Sequence, residues 1–163
     1  MKMKSLNEKE IIVSEKTMEH MAAHQGVNMD LVAEAVAKIK YEGPFLITEV
    51  DLGRVIGTTN CVRIRPGDEV EYLYRKNRAG KTPFVKGRDG EDTTKIVIGI
   101  CDDQDNDGIP TLFTAFYGVL APREPWDARS EEEKAECEAF WSTHALTWDE
   151  DAIDPIQDRE ALS

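Results

Sequence analysis

The chain of 163 residues has only three cysteines, Cys61, Cys101 and Cys137, and no two of them form a CxxC pair. That spacing excludes a zinc ribbon and a thioredoxin-type redox site. Cys61 and Cys101 sit in apolar, strand-like runs and read as small core residues of a reducing compartment. No apolar run reaches the roughly 18 residues that a membrane-spanning helix needs, so no membrane partner is expected. The start, Met1 to Ser5, is basic but lacks the apolar stretch of a signal peptide, and a cytoplasmic location is expected. G-x-S-x-G, P-loop and dinucleotide fingerprints are missing, which argues against nucleophile-elbow hydrolases, nucleoside triphosphatases and Rossmann enzymes. No cofactor is expected. No internal repeat is visible.

Acidic residues dominate what is present: 32 Asp and Glu against 20 Lys and Arg, a net charge of -12. The balance is uneven. Residues 54–95 carry 10 basic and 6 acidic groups, whereas residues 96–163 carry 4 and 17. A basic centre keeps RNA open as a partner, because phosphates require positive surface. The acidic last third suits a basic protein partner instead.

Hydrophobic residues make up 40%, enough for one core at this length. Residues 1–13 are polar and expected to fray. Ser14 is placed to cap a helix to about residue 25, and Gly26 to stop it. Asn28 caps a second helix to about Lys40, with Leu31, Val32, Ala35, Val36 and Ile39 on one face. From Phe45 the period changes to two. Strands are expected at 45–51, 58–65, 69–74, 84–86, 94–101 and 110–117, split by Gly, Pro and Asp as in an antiparallel meander. Ser130 and Glu133 spell a capping box for a C-terminal helix to about His144. The acidic stretch 149–163 is expected to be a flexible tail. The order predicts a single α+β domain over 14–148, with N-terminal helices packed on a four- or five-stranded antiparallel sheet and a C-terminal helix.

Four constellations can carry chemistry. His20 and His24 lie at i and i+4, on one helix face. The HExxH glutamate is missing, which disfavours a metal site; a general acid or base, or a structural role, fits better. Arg75, Lys76, Arg78, Lys81, Lys86 and Arg88 form a basic cluster suited to phosphate or RNA, with Tyr72, Tyr74 and Phe84 interleaved for stacking. The bland alternative is a solvated hairpin with a charge-protected edge. Asp103 to Gly108 matches half an EF-hand loop, but Thr114 stands at the twelfth position and a strand follows, so a polar hairpin turn explains it better. Thr114 itself offers a hydroxyl to a phosphate if its strand faces the histidines.

Several of these residues carry a resemblance. Glu19-His20 with His24, the run Arg63 to Tyr74, Phe84-Val85-Lys86-Gly87, Thr114-Ala115-Phe116-Tyr117-Gly118 with Glu124-Pro125-Trp126-Asp127, and Phe140-Trp141 with His144-Ala145-Leu146 resemble a group of small bacterial and phage proteins. More remotely, that group resembles the barnase–EndoU–colicin–RelE-like ribonuclease superfamily. The resemblance implies metal-independent RNA cleavage by attack of the 2′-hydroxyl on the adjacent phosphate. It assigns catalysis to His24 (or His20), Arg75 or Lys86, and Thr114; His20 and His24 both stay candidates, and Arg78, Lys81 and Arg88 of the basic cluster are expected to hold the RNA phosphates. Two functions therefore stand side by side: a toxin-like ribonuclease, and a non-enzymatic binding module, antitoxin-like, immunity-like or phage accessory, whose acidic surface engages a basic protein.

Overall fold

The computed structural model describes residues 1–159, apart from the side chains of His24 and Gln25. In chain order the elements are β1 (Lys2–Lys4), β2 (Glu10–Ile12), α1 (Glu15–Gln25), α2 (Met29–Val36), β3 (Phe45–Asp51), β4 (Gly57–Thr59) and β5 (Cys61–Arg63). They continue with β6 (Val70–Tyr74), β7 (Lys81–Val85), β8 (Glu91–Thr93), β9 (Lys95–Asp103), β10 (Ile109–Tyr117), α3 (Glu131–Trp141) and β11 (His144–Thr147). The class is α+β. The chain packs as two compact units, Met1–Thr59 with Asp92–Leu120 and Asn60–Glu91 with Ala121–Ser163, a finer division than the one domain read from the sequence.

The first unit holds a five-stranded sheet in the order β1-β2-β10-β9-β3. Alternation on β9 sends Ile96, Ile98 and Ile100 to one face, where they meet Leu112 and Ala115 of β10 and Val32, Ala35 and Val36 of α2. All eight are fully buried, and each large aliphatic among them contributes about 1.5–3 kcal/mol. The expected caps hold. Ser14 accepts from Thr17 N–H, Asn28 accepts from Asp30 N–H, and Gly26 takes the left-handed φ of 60° that ends α1. Helix α2 stops at Val36, short of Lys40, because the amides of Lys38 and Ile39 turn in tightly to the carbonyls of Ala35 and Val36.

Two expectations fail here. Residues 1–13 supply two strands, with Met3, Ile11 and Val13 buried in the core. Asn7 fixes them from outside the ladder: its side chain donates to the Tyr41 carbonyl and accepts from the Tyr41 amide. The sheet is also mixed, since β2 runs parallel to β10.

The second unit holds a four-stranded sheet, β5-β11-β7-β6, over a small core of Val62, Val85 and Ala145. Strand β11, placed by the sequence at a helix end, runs parallel to β7 and antiparallel to β5. Helix α3 packs on β11 and on the single turn Pro125–Asp127. Only α1 and α2 thus serve the first sheet; α3 belongs to the second. Ser130 caps α3 by accepting from Glu133 N–H, while the Glu133 carboxylate reaches back to Arg129 N–H rather than to Ser130.

The described part of the acidic tail is docked. Ile153 bridges Arg75 at the end of β6, with Lys76 N–H donating to Ala152 and Asp154 N–H donating to the Tyr74 carbonyl. Gln157 brackets Tyr74, accepting from its amide and donating to its carbonyl. The Arg159 guanidinium lies 4.1 Å from the Tyr74 ring centre and donates to the carbonyls of Arg75 and Arg78.

Candidate functional site

The residues assigned to RNA cleavage are divided between the two units. His20 and Thr114 belong to the first unit, and Arg75, Arg78, Lys81, Lys86 and Arg88 to the second. His20 is exposed on α1. The catalytic assignment of His24 rests on a side chain outside the described residues. Thr114 faces away from α1. Met18 and Met21 of α1 pack with Leu112, Ala115 and Tyr117, whereas a Cβ on Gly99, on the other face, would meet Thr114 Cγ2 at 2.7 Å. The cause is a β-bulge between Leu112 and Thr114. Counting by twos from Leu112 puts Thr114 beneath the helices; the extra residue turns it to the opposite face.

Three of the cations read as phosphate ligands already hold carboxylates. Arg75 donates to Thr82 Oγ1 at 3.1 Å and pairs with the buried Glu124 at 3.1 Å. Arg88 pairs with Asp68 at 2.7 Å and with Glu91, and donates to the Arg63 carbonyl. The Asp68 carboxyl is held below the usual range by the Arg65 amide and by Arg88. Lys86 lies 2.9 Å from Glu71 and 3.5 Å from Glu69, and the bond to Glu71 raises it above the ordinary lysine range. Arg75 and Arg78 do share the wall of one cavity, about 500 Å³, together with Arg123, Glu124 and Asp127.

His144 is likewise used structurally. Its ring stacks on Phe140 at 4.0 Å, and its Nδ1 lies 3.0 Å from the Phe140 carbonyl.

A different site stands out in the second unit. A groove of about 400 Å³ opens between the sheet and α3. Tyr72, Lys81 and Pro83 line it from β6 and β7, Pro125 and Trp126 from the turn before α3, and Glu138, Trp141 and Ser142 from α3. Antiparallel register sets Tyr72 opposite Pro83, so both rings share one face. Tyr72 is 56% exposed and Trp126 37%. Large aromatic surface left in water at a concave place marks a binding site more often than a defect of packing. Trp141 is anchored by its Nε1–H, which donates to the Pro122 carbonyl at 3.2 Å. Glu138 supplies the groove's one carboxylate, and Lys81 is drawn 5.3 Å over the Tyr74 ring. The sequence carried one signal for this site that went unread: a tryptophan between prolines and acids in a linker, Glu124-Pro125-Trp126-Asp127, has no helix or strand to bury it.

Fold and groove define an α+β protein with an aromatic, acid-bearing cleft on its second sheet. No family model matches the chain, and no curated protein does. The fold is similar to that of a conserved hypothetical protein from Toxoplasma gondii ME49, with a TM-score of 0.51 and 10% identity. The match covers 77% of this chain and 86% of that one.

Proposed function

We propose that the protein is a non-enzymatic binding module whose groove receives an extended basic segment of a protein partner. The observation that carries this reading is the pair of exposed rings, Tyr72 and Trp126, beside the Glu138 carboxylate. Rigid aromatic anchors in a concave site supply most of the energy of such contacts. The charge of the surroundings selects the partner. The second unit carries 12 basic against 18 acidic groups, Glu138 of the groove among the latter. That net charge attracts cations and repels nucleic acid. The ribonuclease reading draws less support, because His20 and Thr114 lie on opposite faces of their unit and three of the cations meant for phosphate, Arg75, Lys86 and Arg88, hold carboxylates.

The test is titration of intrinsic tryptophan fluorescence with blocked heptapeptides, one of alternating lysine and isoleucine around a central phenylalanine, the other with glutamate for lysine. The basic peptide is expected to bind and the acidic one not. Trp126→Ala is expected to weaken binding at least about tenfold, as loss of an aromatic anchor does, and Glu138→Gln severalfold, with the far-ultraviolet spectrum unchanged in both. Equal binding of the two peptides would sink the reading. So would cleavage of RNA by the purified protein in EDTA.

A further inference from the structure

The outer edge of β6 is half used. Lys86 N–H donates to the Glu69 carbonyl, which makes Glu69 and Lys86 a bonded pair of the β6–β7 ladder. Bonded pairs recur every second residue in an antiparallel ladder. Glu71 and Leu73 therefore bond to β7, while Val70, Tyr72 and Tyr74 aim their amides and carbonyls away from it. Two independent observations agree. Pro83, which has no N–H to give, stands opposite Tyr72, and both backbone groups of Tyr74 are taken by the tail, through Asp154 and Gln157.

The tail shows how this edge is read. Ala152 to Asp154 adds to it as an antiparallel strand, one bridge long. It then leaves: Pro155 follows, and Asp154 Oδ1 accepts from Ile156 N–H, turning the chain off the edge. Among the described residues no strand continues the pairing past Tyr74, and Tyr72 is the most exposed residue of β6.

We propose that the partner's segment binds by strand addition, extending the second sheet on the β6 edge at Val70 and Tyr72. The inference rests on the reading above and deepens it. The partner residue opposite Tyr72 exchanges both backbone hydrogen bonds with it and sends its side chain to the same face, against the exposed Tyr72 ring at the rim of the groove. A large apolar side chain fits there. Its two neighbours point to the other face, beside Glu71 and Glu69; these two carboxylates share one cation, Lys86, and keep a net negative charge that basic side chains fit. The ligand is thus an alternating apolar and basic strand, and the tail sets where it must stop.

The test uses the full chain and the alternating lysine–isoleucine peptide with central phenylalanine, in two N-methylated forms. One carries methyl groups on its odd amides, the other on its even amides. An added strand turns only one set toward β6. One form is expected to lose binding about tenfold or more, through removed donors and a steric block, and the other to bind like the parent. Val70→Pro, at the first residue of the strand where proline costs least, is expected to weaken the parent severalfold while the unfolding midpoint stays within a few degrees. Equal affinities of the two methylated forms, whether both unchanged or both weakened, would overturn strand addition and leave the groove reading standing. Failure of the parent peptide to bind would remove both.

Discussion

Tyr41 joins two distant parts of the first unit through one hydroxyl. The residue is 1% exposed, and its hydroxyl donates to Asp102 Oδ1 at 2.8 Å. Burial first, and the Asp102 carboxylate second, hold its pKa well above the ordinary value of 10.0. The folded chain therefore keeps this proton at a pH where the unfolded chain gives it up. The resulting stability is complete below about pH 10 and is lost as pH rises beyond it. Wild type should lose about 1.4 kcal/mol more per pH unit than Tyr41→Phe above pH 10, seen in urea melts from pH 8 to 11.5. At pH 7 the same variant should be less stable by about 1.5–3 kcal/mol, the worth of a hydrogen bond to a charged group. Parallel pH profiles would show that Tyr41 ionises freely in the folded state. Single residues with local jobs were legible in the sequence: Ser14, Asn28, Ser130 and Gly26 cap helices because their partners lie within four positions. The pair of Arg75 with Glu124 was not legible, because the two residues lie 49 positions apart.

The β6–β7 hairpin owes its groove wall to a residue that reads as an ordinary turn. A Cβ on Gly80 would meet Trp126 Cγ at 2.1 Å, with Cδ2 and Cδ1 at 2.3 and 2.4 Å. No side-chain adjustment short of moving the indole relieves that overlap. Gly80→Ala should displace Trp126 from the groove, weaken the basic peptide at least about tenfold as loss of an anchor would, and shift tryptophan emission to the red. Unchanged peptide affinity would mean that Trp126 is dispensable. Among the elements, β3 was legible to the residue, and β6, β9 and β10 nearly so, because five to nine residues of alternation are enough to set a period. Strands β1, β2 and β11 were not, since three or four residues hold at most two turns of alternation and their pairing comes from partners far along the chain. The bulge at Phe113 was illegible for the same reason: nothing in Leu112-Phe113-Thr114 departs from regular alternation, and only the register against Ile100 and Gly99 exposes it.

Across the whole molecule, the order of charge along the chain differs from its order in space. The basic stretch 54–95 suggested a positive face. The fold gathers most of it, residues 60–91, into one unit with residues 121–163, and that unit carries 12 basic against 18 acidic groups. The other unit carries 8 against 14. Neither is positive, and no run-by-run count could show this, because the units are assembled from interleaved segments. The consequence is kinetic. A basic peptide approaching either unit is steered by a negative field that salt screens over about 8–10 Å at physiological strength. Raising salt from about 0.05 to 0.5 M should cut the association rate of the basic peptide roughly tenfold and leave dissociation nearly constant, because the apolar contacts at Tyr72 and Trp126 that hold the bound state are indifferent to screening. Stopped-flow fluorescence separates the two rates. A dissociation rate that climbs with salt would place the holding energy in ion pairs at Glu138 and Glu71 instead of the rings, and an association rate indifferent to salt would remove charge from the selection of the partner.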